Sequence, residues 1–431
     1  MSSMKPPGVY VTEKSSGVRM VVGTNTSVPA FLGYTKPSAK DATDGSVAPF
    51  TEAERKTPQP VRGWQEFASR YSVKGLTEEL AEATDPAERH VLKRCLPLAE
   101  AVYGFFANGG TTCYVVGFTS PENAVSVQDL KGDAESRTGL AGLETVPEVS
   151  MIAVPSLWDM TTDASSDAAP DHGEGAARAA EVEKHCTKLR DRLAILDAPP
   201  GQDPAQVKAF SEKLGARDSD TAAFTTLYYP WVTVPGIDGH ERTVPPCGHV
   251  AGVWARTDAE RGVFKAPANQ NLRGVRSLPT LLTDDQHGEL NEAGVNCLRV
   301  FPDRGLLVWG ARTMSTTRDW KYLNVRRTVS HFADSIQQST TWAVFEPNDE
   351  RLWATMRHAV VSFLTDQWRQ GALQGRTPDE AFYVICDATN NTSETIAEGK
   401  VVCDIGVAPV RPAEFVQFTV TQIAGQPGEN S

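Results

Sequence analysis

The residues with the greatest chemical potential are Cys247-Gly248-His249, the adjacent His185 and Cys186, the acidic run Asp163 to Asp167, and Asp197. Cys247 and His249 could give a zinc ion two ligands. No second pair stands at zinc spacing, so the segment reads as a loop. His185 and Cys186 could form an imidazole–thiol couple, but sequence neighbours on a helix point to different faces. The serines between Asp163 and Asp167 spoil the spacing of a cation loop, and a solvated acidic loop is expected. Asp197 ends an apolar run, where catalytic and magnesium-binding aspartates often sit. Such a role would need a glycine-rich phosphate loop followed by Lys-Ser/Thr, and Gly139-Leu-Ala-Gly-Leu143 lacks both the spacing and the lysine. Asp197 therefore reads as a strand-end cap. There is also no dinucleotide glycine fingerprint and no His-Glu-x-x-His. No catalytic site, cofactor or metal is expected.

The elements that would position these groups follow from composition and periodicity. A chain of 431 residues exceeds one ordinary core and suggests two or three domains. Its net charge of −12 argues against nucleic acid and anionic membranes as partners, since both call for basic surface. Apolar runs are strand-sized, well short of the ~20 residues of a membrane span. The N-terminal stretch has no apolar h-region, and the seven cysteines are an odd, scattered set that fits a reducing compartment. Synthesis in the cytoplasm is the expectation.

Strands are expected at 9–12, 28–34, 113–118, 150–155, 193–197 and 224–234, with helices at 91–108, 174–192 and 204–214 between them. Apolar strands alternating with amphipathic helices give an α/β layer with a largely parallel sheet. The Gly/Pro/His cluster at 235–248 reads as a domain boundary. Beyond it come a strand in 300–311, amphipathic helices at 324–338 and 349–370 (the second capped by Asn348), and strands at 382–387, 400–407 and 414–423.

Both ends of the chain are strand-forming, and neither has a hairpin partner. Val9-Tyr10-Val11-Thr12 runs into a turn-rich segment. The last strand, with Val416, Phe418 and Val420 on one side, is cut off by Pro409 and Pro412. A lone terminal strand pairs within its own subunit or adds to a neighbour's sheet. Composition alone favours the first.

Eight patches, in order, change that balance. They are PPGVYVTE (6–13), VPAFLGYT (28–35), AVYGFFANGGTTCYVV (101–116), GHVAGVWARTDAERGVFKAPAN (248–269), LLVWGARTM (306–314), WKYLNVRRT (320–328), TTWAVFEPNDERLWATMR (340–357) and CDIGVAPVRPAEFVQF (403–418). Together they resemble the contractile tail sheath family of myophages, R-type pyocins and contractile injection systems. Segments 120–146 and 156–190 carry little of the likeness and read as variable outer surface.

The resemblance implies a two-domain protomer of α/β and α+β class. An inner α+β domain built from both termini would carry an inserted outer α/β domain. On this sequence that gives an N-terminal arm at 1–27, an outer domain at 28–240, an inner domain at 241–412, and a donated strand and tail at 413–431. It further implies self-assembly in stacked six-subunit rings, an inner tube, a baseplate and a terminator as partners, and arms (Val9–Thr12; Val416, Phe418, Val420) that pair with neighbouring subunits. An injection-system sheath is expected first, because large extra insertions are lacking. A phage or pyocin sheath is the nearest alternative, and a ligand-binding or catalytic α/β protein is the alternative of another class. From Trp320 to Arg376 there are seven Lys/Arg against five Asp/Glu, a basic stretch in an acidic chain. Arg351, Arg357 and Arg369 are its candidate tube contacts.

Overall fold

A computed structural model describes residues 20–35, 48–118, 126–158, 172–214 and 217–415. Val9 to Thr12, Asp163 to Asp167, and Val416, Phe418 and Val420 lie outside the described residues.

The strands are short, and those at the centre of the large sheet are mostly apolar. They are β1 (Pro29–Tyr34), β2 (Gln59–Val61), β3 (Cys113–Phe118), β4 (Met151–Ala153), β5 (Leu193–Asp197), β6 (Thr225–Tyr229), β7 (Val232–Val234), β8 (Arg242–Val244), β9 (Gln270–Asn271), β10 (Val295–Phe301), β11 (Gly305–Val308), β12 (Phe382–Ile385) and β13 (Asp404–Val407). Nine of them form one sheet in the order β2-β3-β1-β4-β5-β6-β10-β11-β9. Its centre, β3 to β10, is parallel throughout. Every residue of β1, β4, β5 and β6 is buried. That is why these strands read as unbroken apolar runs: both faces of a parallel sheet are covered by its crossover helices.

Five helices matter most below: α1 (Leu96–Ala107), α2 (His172–Leu189), α3 (Cys247–Arg261), α4 (Leu323–Ser339) and α5 (Glu350–Arg369). The helix expected at 91–108 is two. Pro97 stands in the first turn of α1, where its missing N–H costs nothing, and Cys95 separates α1 from the helix Pro86–Arg94. The cap of α5 is Asp349, whose carboxylate accepts from Leu352 N at 2.9 Å, and not Asn348. Asn348 instead accepts from the Trp353 indole at 2.8 Å. The run 224–234 splits at Pro230 into β6, in the large sheet, and β7, which pairs with β8.

Residues 235–248 are not a linker: Gly236 and Gly239, both at positive φ, turn the chain between β7 and β8, and Cys247 opens α3. Strands β9 to β11 complete the same large sheet, and one hydrophobic core runs from Val28 to Leu323. A second core gathers Phe332, Val360, Phe363, Leu364 and Leu373, and Val21 joins it from the other end of the chain. A small third one holds Leu352, Trp353 and Cys386. The packing therefore divides near residue 320. Turn-forming composition marked a hairpin there, and a hairpin uses the same residues as a linker.

Candidate assembly surface

The residues singled out for chemistry are structural where they are described. Cys247 and His249 lie in the first turn of α3, fully buried, and not in a loop. The Asp197 carboxylate sits at the end of β5 beside Cys247, which opens α3, and its Oδ1 is buried without a hydrogen-bond partner. Burial raises its pKa to about 7. His249 is pushed down to about 4 by burial alone, with its ring against Gly104 of α1. His185 falls to about 3 by desolvation, and the Cys186 thiol is pushed up. A nucleophilic thiol needs the opposite shift. Among the described residues no three His, Cys, Asp or Glu side chains converge as a metal site, and no helix is long and apolar enough to cross a membrane.

The distinctive geometry lies at residues 20–27 and 410–415, the first and last described stretches. Residues 20–27 run as an extended strap along α4. Val22 N donates to Ser339 Oγ at 3.0 Å and Thr24 N to Ser335 Oγ at 3.0 Å, with Thr24 Oγ1 3.3 Å from His331 Nδ1. His331, Ser335 and Ser339 recur every four residues, which places them on one helical face. They satisfy the strap as a neighbouring strand would. The apolar periodicity of α4 was legible in sequence; this polar stripe was the signal passed over.

Below the strap, Arg327 of α4 grips Asp258 of α3 through two nitrogens, at 2.9 and 2.5 Å, and also donates to Thr26 O at 3.1 Å. Thr26 Oγ1 donates to the same carboxylate at 2.7 Å. At the other end, Asn324 Nδ2 donates to Val410 O at 3.0 Å and to Phe264 O at 2.8 Å. Arg312 then holds Glu414 by a bidentate pair. Met20 before the first anchor, the Val22 side chain at it, and Phe415 after the second are exposed.

Between these exits, β12 and β13 form a two-stranded antiparallel sheet. Phe382, Val384, Ile405 and Val407 face the second core. Tyr383 and Ile385 are exposed on the other face. Neither outer edge of this sheet is paired among the described residues.

The three candidate arginines do not share one surface. Arg351 and Arg369 are exposed and five turns apart, which returns them to one side of α5. Arg357 points elsewhere: it donates to Cys386 O at 3.3 Å and lies 3.6 Å from Asp387.

Two family models match the chain in tandem. The phage tail sheath protein central domain covers 149–314 and the phage tail sheath C-terminal domain covers 315–423. Together they take in more than half of the chain and meet where the packing divides. A protein of Pseudomonas aeruginosa (strain UCBPP-PA14) named as a prophage major tail sheath protein is 29% identical over 58% of this chain and 63% of its own length. The tail sheath protein of Enterobacteria phage T4 is 23% identical over 74% of this chain and 50% of its own. The chain thus spans less than two thirds of these relatives. Two matches to solved structures span nearly the whole chain. A chain in the 6-fold symmetrised baseplate of the anti-feeding prophage is 28% identical with a TM-score of 0.70, covering 98% of this chain and all of that one. A chain of the contracted PVC sheath complex, from an extracellular contractile injection system, is 25% identical with a TM-score of 0.69, over 98% and 99%. The chain belongs to the contractile tail sheath family.

Proposed function

We propose that this chain is the repeating subunit of a contractile injection-system sheath. It polymerises as stacked six-subunit rings around an inner tube, between a baseplate and a terminator, and contraction drives the tube through a target envelope. The observation carrying this reading is the whole-length likeness to sheath-system chains at TM-scores of 0.70 and 0.69, against partial alignments to phage sheaths. The chain does its work by changing lattice contacts, without a catalytic step or cofactor, and assembles in the cytoplasm.

The terminal strands act between subunits. Val9 to Thr12 and the strand bearing Val416, Phe418 and Val420 add to neighbours' sheets, and β12–β13, with its open edges, is the receiving platform. Backbone bonds at about 1 kcal/mol net each, several per arm, let an arm hinge without detaching. In the assembly, the part built on the large sheet forms the outer layer. The part containing α4, α5 and the β12–β13 pair forms the inner one. Arg351 and Arg369 face the tube. Electron microscopy of the purified full chain tests the reading: striated tubes are expected, and monodisperse particles under all assembly conditions would overturn it.

A further inference from the structure

Two of the seven cysteines are brought together, and nothing in the sheath role uses them. In the β12–β13 ladder Ile385 stands opposite Asp404, so the next position sets Cys386 opposite Cys403. Ala408 N donates to Ala381 O at 2.9 Å, which makes that pair a hydrogen-bonded one. Stepping in twos along the ladder, 383/406 and 385/404 are hydrogen-bonded pairs, and 386/403 is a non-hydrogen-bonded pair. Opposed Cα atoms at such positions are about 4.5 Å apart, with side chains closest. That separation lies within the range a disulfide spans.

Both side chains point inward, into the small core with Leu352 and Trp353. Asn391 fixes the register just beyond: its Oδ1 accepts from Val402 N at 2.7 Å and its Nδ2 donates to Val402 O at 2.9 Å. Cys113, Cys186, Cys247 and Cys297 are by contrast buried in the large core.

We propose that Cys386 and Cys403 are a modification site, forming a cross-strand disulfide that staples β12 to β13 when the protein meets a low-molecular-weight disulfide such as oxidised glutathione. Cys403 is half-buried and Cys386 fully buried, so the oxidant enters from the Cys403 side. The Cys403 sulfur attacks one sulfur of the glutathione disulfide, forming a mixed disulfide and releasing one glutathione thiolate. Cys386 then attacks the Cys403 sulfur of that mixed disulfide, and the second glutathione leaves. The two cysteine protons end on the two released glutathiones. The pair loses two electrons and glutathione disulfide gains them. The neighbouring Cys386 and burial push the Cys403 thiol up, so the first exchange is the slow step and speeds up with rising pH; Cys386, held below the usual thiol range by its Cys403 neighbour, is suited to the second, resolving attack. The proposal stands on the register of this chain and not on its assembly.

The test treats the folded full chain with oxidised glutathione, blocks remaining thiols by alkylation, and reads intact mass and a non-reducing peptide map. Five alkylated cysteines and one linked peptide joining 386 to 403 are expected. Closing the loop between them should raise the thermal midpoint by a few degrees, reversed by reductant. Cys403→Ser should abolish the linked peptide and the rise, and match reduced wild type. Seven alkylatable thiols, a glutathione adduct that never resolves, or a link between other cysteines would overturn the proposal. The wild-type map decides even if the variant folds poorly.

Discussion

Arg327 and Asp258 lie 69 residues apart and form a bidentate pair in which both side chains are only 3% exposed. It is the point where α3, α4 and the incoming strap meet. Removing one partner leaves the other charge buried and unpaired, which costs about 3–5 kcal/mol. Arg327→Ala should therefore lower the denaturant midpoint sharply. Because Arg327 also holds Thr26 O, limited proteolysis should cut near residue 26 faster. Loss of stability without faster cutting would separate the ion pair from the strap.

The approach of α3 to α1 depends on two glycines. A Cβ on Gly248 would stand 2.2 Å from Ala101 O, and one on Gly252 2.5 Å from Phe105 O. Both obstacles are helix backbone and cannot rotate aside. Gly252→Ala should cost about 1–3 kcal/mol or more by overpacking, measured by chemical denaturation. Gly288, which has open space around its missing Cβ, is the control: Gly288→Ala should be neutral or mildly stabilising.

Stability should depend on pH through buried groups that oppose one another. Desolvation raises Asp197 to about 7. Between about pH 4 and 7 the folded state keeps a proton that the unfolded state loses, so this group's contribution to stability falls as pH rises. Burial lowers His249 to about 4. Below about pH 6.5 the unfolded state gains a proton the folded state refuses, so stability falls as pH drops. The two slopes partly cancel in the native chain. Asp197→Asn should remove one, and its stability relative to wild type should climb from pH 4 to 7 by roughly 2–4 kcal/mol and then level off. A flat difference curve would refute this account.

The donated-strand reading makes two outcomes distinct. On that reading, deleting residues 1–14 takes away only an arm used between subunits, so the monomer should keep its melting temperature and fail to form tubes. Phe418→Pro should act alike by deleting a ladder donor. A destabilised monomer in either case would mean that the strands pair within the subunit.

If Arg351 and Arg369 meet the tube, the double reversal to Glu should weaken extended sheath–tube particles and leave contracted sheath intact. High salt should weaken the same particles, since exposed pairs are screened. Arg357→Glu, on a different face and near Asp387, should have a smaller effect on tube binding. Equal effects of all three would undo the face assignment.

Much of the fold was legible, for identifiable reasons. The central strands announce themselves because burial on two faces demands unbroken apolar runs, as in Leu193–Asp197. Helices α4 and α5 show clear periodicity because each packs one face. Helix α3 was hidden because every residue from Cys247 to Thr257 is buried, so it has no polar face and no amphipathic period. Its glycines imitate a loop while serving as contact points. The apolar run of β10 is broken by Asn296, a buried polar residue whose side chain clasps Arg312 N and O at 2.7 and 2.8 Å. No local pattern encodes a partner 16 residues away. The strap's anchors are more distant still, and only the family resemblance suggested that the chain's beginning joins its end.

The placement of the two anchors sets where tension goes. A pull beyond Glu414 reaches Arg312, and through Asn296 the large sheet. A pull before Val22 reaches α4, and through Arg327 and Asp258 the helix α3 laid on that sheet. Both tethers are belayed to one stiff plate. The small β12–β13 sheet, packed on the second core, lies off both of these paths.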